Sequence, residues 1–161
     1  MYLHSHSKEW ATEFARERAS ILAAYAGEIE LHHIGSTAIA GLYAKDCIDV
    51  LGVVEDLDAV RCRLTELADL GYEHRGEYGI AGRVYFSKSR RKAHLHVFQQ
   101  GDPNIADHLG FVDAMTTNLS LVDELNRLKT SLHRRYRDDV SGYQREKAAF
   151  YERIRRMRLS P

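Results

Sequence analysis

Apolar positions alternate between two periodicities over the first two thirds of this chain and settle into one over the last third. Trp10, Phe14, Ala15, Ile21, Leu22 and Tyr25 recur at helical spacing, which predicts a helix over 7–25 with Ser7 as N-cap and Gly27 as its stop. Residues 28–34 alternate as a strand does, and Gly35-Ser36 breaks that strand into a short helix or turn reaching Leu42. Residues 47–54 are apolar except for Asp49, the pattern of a central strand. A helix capped by Asp56 and closed by Gly71 is predicted over 56–70. Three strands follow at 72–78, 83–87 and 93–99, with Gly79-Ile80-Ala81-Gly82 as a hairpin turn between the first two. After the turn Gly101-Asp102-Pro103-Asn104 the period is helical to the end: 105–118, 120–137 and 141–158. This order predicts an α+β domain whose mixed or antiparallel sheet is covered by helices on one face. One domain is expected over 1–161, with a core at about 7–100 and a helical part at about 102–158.

Composition narrows the partners more than the fold. Apolar residues make up 44% and charged residues 29%, as in an ordinary globular domain. Basic and acidic residues number 23 each, so the chain is not built to hold nucleic acid by charge, and nucleic acid is not expected as a partner. The basic clusters at 83–92, 134–137 and 153–158 read as solvated faces and helix C-termini. Cys47, in an apolar strand, and Cys62, in a helical segment, read as buried free thiols rather than a disulfide, without a two-cysteine zinc pattern. No run approaches the ~20 apolar residues of a membrane helix, and no signal peptide is read, so no membrane association and a cytoplasmic location are expected.

The candidate chemistry begins at His33-Ile34-Gly35-Ser36-Thr37, continues through Gly41-Leu42 and Lys45, and returns at Ile48-Asp49-Val50. Small residues in a turn let backbone N–H groups approach anionic oxygens, and an acid on the next strand can hold the metal that neutralises them. With Trp10 and Phe14 before it, and Gly71-Tyr72, Gly82-Arg83, Lys88 and His94-Leu95-His96-Val97-Phe98 after it, this pattern resembles the GrpB family. The resemblance runs in register from about Trp10 to Phe98 and resumes at Tyr143 and Lys147. It implies a nucleotidyltransferase-like fold, with a nucleoside triphosphate and a divalent metal (Mn, Zn or Mg) as candidate cofactors. Phosphates would lie at Gly35, Ser36 and Thr37 with Lys45, Arg83 and Lys88, and His33 would line the same pocket or hold the turn by a hydrogen bond.

Asp49 is the first candidate for catalysis and for a metal; the structural alternative is a strand-end acid bonded to Lys45 or a helix N-terminus. Active nucleotidyltransferases place a second acid two positions on, and this chain has Leu51 there. His94 and His96 share one face of their strand and can replace that acid, either as metal ligands with Asp49 or as a general base and a phosphate contact. A mixed nitrogen and oxygen set favours a transition metal over Mg²⁺. Ala40, Asp46 and Val112 depart from the family pattern, where Pro, Pro and Arg are usual. The leading expectation is transfer of a nucleotidyl group to a small-molecule or protein acceptor. The rival is a non-catalytic nucleotide- or small-ligand-binding module, and a metal-dependent phosphate-ester hydrolase is a third reading.

Overall fold

The computed structural model describes residues 3–90 and 92–159. Arg91 of the first basic cluster lies outside the described residues. Five strands, β1 (Glu30–Ile34), β2 (Ile48–Val54), β3 (Glu73–His74), β4 (Val84–Lys88) and β5 (Ala93–Gln99), form one sheet in the order β1-β2-β5-β4-β3. Only β2 and β5 run parallel, which sets Asp49 beside His94 and Leu51 beside His96; the other pairs are antiparallel. The helices are α1 (Glu9–Tyr25), α2 (Leu57–Arg61), α3 (Leu64–Asp69), α4 (Pro103–Thr117), α5 (Leu119–Arg135) and α6 (Val140–Leu159), and a 3-10 turn spans Ser36–Ala38. The α+β architecture is the expected one.

Helices cover both faces, which corrects the expectation of one covered face. Trp10, Ile21 and Tyr25 of α1, with Val60 and Leu67, pack on Ile48, Val50, Val84, Phe86, Leu95 and Val97. On the opposite face of the sheet Ile34, Leu51 and Phe98 meet Ile105, Leu109 and Val112 of α4. A central strand with apolar side chains on both sides needs cover on both, and the C-terminal helices supply the second layer. They hold themselves together through Phe111, Met115, Leu125, Phe150 and Ile154.

Several boundaries differ from the periodic reading. The helix predicted over 56–70 is two helices broken at Cys62–Arg63, in a stretch with neither Gly nor Pro. The strand predicted over 72–78 is paired only at Glu73 and His74, because Gly76, Tyr78 and Gly79 adopt positive φ and turn the chain. The helix expected from 105 starts at Pro103, where Asp102 accepts the Asn104 N–H at 2.8 Å and proline fits the first helical position. Asp46, standing where the family pattern has Pro, accepts the Trp10 indole N–H at 2.8 Å and ties α1 to the entry of β2.

Candidate phosphate and metal site

The site grows from a close approach between turn and strand. Gly35 has φ +71°, and a Cβ added there would lie 2.5 Å from Asp49 Oδ2, so only glycine lets the turn pass over this carboxylate. Thr37 locks the turn from behind: its hydroxyl is 3.0 Å from His33 Nε2 and donates to the Cys47 carbonyl at 3.4 Å. Ser36, between them, points its Oγ at Lys129 Nζ, 2.8 Å away.

Asp49 is bonded from both sides along β5. His94 Nδ1 lies 3.0 Å from its Oδ1, and His96 Nε2 lies 3.4 Å from the same oxygen. Burial would raise the Asp49 carboxyl pKa, but the hydrogen bonds of His94 and then His96 outweigh it and hold the group below the usual carboxylate range. Cys47 Sγ sits 3.7 Å from the His94 ring nitrogens, and burial, with Asp49 nearby, pushes its thiol up to about 12. Arg83 does not reach Asp49 directly. Its Nη1 meets His96 Nδ1 at 3.1 Å, and its Nε and Nη2 donate to the Glu77 and Tyr78 carbonyls at 3.1 and 2.7 Å.

Two cavities meet at Asp49, Gln144 and Lys147. The smaller, about 150 Å³, is lined by Ser36, Thr37, Lys45, Cys47, His94, Lys129 and Tyr143 as well as those three. The larger, about 600 Å³, continues past Gly35 and His96 between Ile34, Ile80, His108, Phe111 and Tyr151. Helices α5 and α6 therefore contribute directly to the site. Lys129, 2% exposed, also donates to the Tyr43 carbonyl at 2.6 Å, and burial, reinforced by Lys147, lowers its pKa to about 7. Lys147 stands 5.6 and 5.3 Å from the centres of the Tyr143 and Tyr151 rings, and its pKa is lowered by burial and by Lys45. His108 is lowered to about 4 by burial and by His96.

The structure thus brings together Gly35, Ser36, Thr37, Lys45, Asp49, His94 and His96, with Arg83 one bond removed. It does not bring Lys88 or His33 to that face, which corrects the Lys88 reading and leaves His33 its other expected role, holding the turn by a hydrogen bond. Tyr85 and Ser87 stand opposite His96 and His94, so alternation turns Lys88 to the α1 side, where Glu17 takes its ammonium at 2.9 Å. His33, opposite Val50, stacks on Phe14 of α1 at 4.7 Å and holds the turn through Thr37. Lys129, Lys147 and His108 were not singled out as site residues from the sequence, where each is one polar residue on a helix; the Tyr143-x-x-x-Lys147 spacing was the one available signal.

A mixed five-stranded sheet with a Gly-Ser turn over a strand acid defines a nucleotidyltransferase-like fold. The chain belongs to the GrpB family: the family model described as "GrpB protein" matches residues 1–157. It is 33% identical to the glutamate-rich protein GrpB of Alkalihalophilus pseudofirmus, over 94% of this chain and 92% of that one. It is 36% identical to the UPF0157 protein YqkA of Bacillus subtilis over 86% of its own length, but spans only 41% of that relative. The crystal structure of GrpB from Enterococcus faecalis matches with a TM-score of 0.91 at 28% identity, covering 97% of this chain and 96% of that one. The Cid1 poly(U) polymerase with Mg and 3'-dATP bound shares the fold at a TM-score of 0.59 and 16% identity, over 89% of this chain and 49% of that one. Among the described residues no helix is long and apolar enough to cross a membrane.

Proposed function

We propose that this chain holds the phosphates of a nucleoside triphosphate at Gly35, Ser36 and Thr37 and transfers its nucleotidyl group to a small-molecule or protein acceptor. The charge of the smaller cavity carries this reading. Lys45, Lys129 and Lys147 line it, Asp49 is the one carboxylate among its described lining residues, and that carboxylate is already engaged by two histidines. Lys147 has no hydrogen bond or ion pair among the described residues, only two tyrosine rings. A desolvated ammonium without a counter-ion is relieved by an anion, and phosphate oxygens suit a cluster of lysines beside a hydroxyl and turn amides. The larger cavity is of the size that ordinarily encloses a small organic ligand, which suits a nucleoside or a small acceptor.

A pair of magnesium ions does not fit this donor set. Leu51, fully buried against Ile34 and Phe98, takes the place of the second acid, and nitrogen ligands suit Mg²⁺ poorly. One divalent ion at Asp49, with His94 beside it, does fit, and when bound it would neutralise phosphate charge. The same Leu51 favours a second reading, a binding module that keeps the phosphate pocket without transfer.

Calorimetric titration of the metal-free chain with pyrophosphate and with each nucleoside triphosphate tests the pocket. Binding is expected, and Lys147→Met should weaken it by about 10–150-fold, the scale of one charge-assisted contact of about 1.5–3 kcal/mol. Absence of binding to every one of these anions rejects both readings. Binding without pyrophosphate release in the presence of metal and an acceptor panel selects the binding module.

A further inference from the structure

His96 has no lone pair to offer a cation. Arg83 Nη1 stands 3.1 Å from His96 Nδ1, and a guanidinium only donates, so Nδ1 accepts and the ring proton lies on Nε2, facing Asp49. The guanidinium cannot easily swing away, because two carbonyls hold it and its plane lies 4.5 Å over the Tyr85 ring. On the other side of Asp49 the situation differs. His94 Nδ1, Asp49 Oδ1 and the Cys47 thiol converge, and one ligand atom from each lies within 4.8 Å of the others.

We propose that Cys47, Asp49 and His94 form a site for one thiophilic divalent cation, of the Zn²⁺ or Co²⁺ type, with its remaining position open to the lysine-lined cavity. The proposal rests on the reading that an ion at Asp49 serves bound phosphate, and it replaces His96 of the expected set Asp49, His94 and His96 with the Cys47 thiolate. One sulfur, one nitrogen and one oxygen donor plus an open position make a set that favours zinc-like ions over magnesium. Binding exchanges the S–H bond of Cys47 for an S–metal bond and releases one proton to solvent, while the His94 proton that faces Asp49 moves from Nδ1 to Nε2 and leaves the Nδ1 lone pair to the ion. His96 becomes a positioning residue: held by Arg83, it donates to Asp49 and orients the carboxylate from outside the coordination sphere. Cys47 immediately precedes β2, and the parallel register brings His94 beside Asp49, so the three ligands come from two neighbouring segments of a rigid sheet.

Titration of the full chain with Co²⁺ alone, followed by absorption spectroscopy, tests this. One equivalent should produce a near-ultraviolet thiolate-to-cobalt charge-transfer band. Cys47→Ser should abolish that band, and Cys62→Ser, which alters the exposed second thiol, should leave it. His94→Gln should abolish tight binding, with His94→Ala as a second variant where the first does not fold. His96→Gln should keep the band and weaken binding by about 10–100-fold, as loss of an outer partner does. No band in the wild type, or a band that survives Cys47→Ser or disappears with His96→Gln, overturns the assignment. Pyrophosphate binding by the metal-free chain separates the two readings: binding there with no cobalt band rejects the metal site alone, and a cobalt band without pyrophosphate binding rejects the phosphate reading alone.

Discussion

On the α1 side of the sheet Lys88 meets the Glu17 carboxylate at 2.9 and 3.2 Å, and Tyr72 donates to the same carboxylate at 2.9 Å. On the α6 side, among the described residues, Lys129 finds only the neutral oxygens of Ser36 and Tyr43, and Lys147 only tyrosine rings. Both faces bury ammonium groups, yet one face matches them internally and the other leaves positive charge in excess. A matched buried charge holds structure, because removing either partner strands the other. An unmatched one lowers stability unless something from outside supplies the anion. The contrast separates framework from candidate site without reference to any relative.

Breaking the matched pair should have the largest effect. Glu17→Ala leaves Lys88 unpaired among apolar side chains and should cost about 3 kcal/mol, at the lower end for a buried pair because Lys88 keeps some exposure. Urea unfolding measures it, and pyrophosphate affinity should stay unchanged. An affinity loss as large as that of Lys147→Met would erase the distinction between the faces.

Gly35→Ala comes next. A side chain at φ +71° is strained, and its Cβ would push on Asp49 Oδ2, so a loss of about 1–3 kcal/mol is expected in the thermal melt, together with weaker phosphate binding. A neutral effect would show that turn and carboxylate are not in the contact described.

Lys129→Met should act in the opposite direction on stability and lower pyrophosphate affinity about tenfold, or ~1.4 kcal/mol. Lys129 titrates near 7 in the folded chain, whereas an unfolded lysine titrates at about 10.5, so the unfolded state binds more protons between these values. Wild-type stability should therefore rise with pH across that window, and Lys129→Met should flatten the rise. A slope that persists in the variant would place its origin elsewhere.

The smallest effect concerns His33 and His108, both lowered to about 4, His33 by burial against the opposing pull of Asp49 and His108 by burial and His96. Between about 6.5 and 4 the unfolded chain takes up protons that the folded rings refuse, so stability should fall as pH drops through this range. About 1 kcal/mol per ring is expected, less than full burial would give because both rings keep some contact with water. His33→Phe and His108→Phe should each shallow the decline in denaturant midpoints between pH 6.5 and 4.5, one on each face of the sheet.

The strands and most helices could be read in advance because their periodicity is local: β2 with its single acid, β5 with its two histidines, and the three long C-terminal helices. So could the chemistry placed on the sheet, since Asp49, His94 and His96 sit at alternating positions whose direction follows once β2 and β5 pair. Lys88 as a phosphate contact and His33 as a pocket wall went astray because a strand's alternation fixes which residues share a face without saying which face lines the cavity, whereas His33 holds the turn as expected. The break at Cys62–Arg63 has no turn residue to announce it, and the short pairing of β3 depended on left-handed Tyr78, which is not a turn-forming residue.

By itself the sequence determined the family, the α+β class and the turn-plus-acid motif, because each rests on residue types at short spacing. Only the tertiary structure decided the electrostatics of the site. Lys129 reaches Ser36 across 93 residues of chain, Lys147 enters from the last helix, and Arg83 meets His96 rather than Asp49. Whether an ammonium is matched or left over depends on which helices pack over which face of the sheet, and long-range packing is a property of the whole chain that no local spacing encodes.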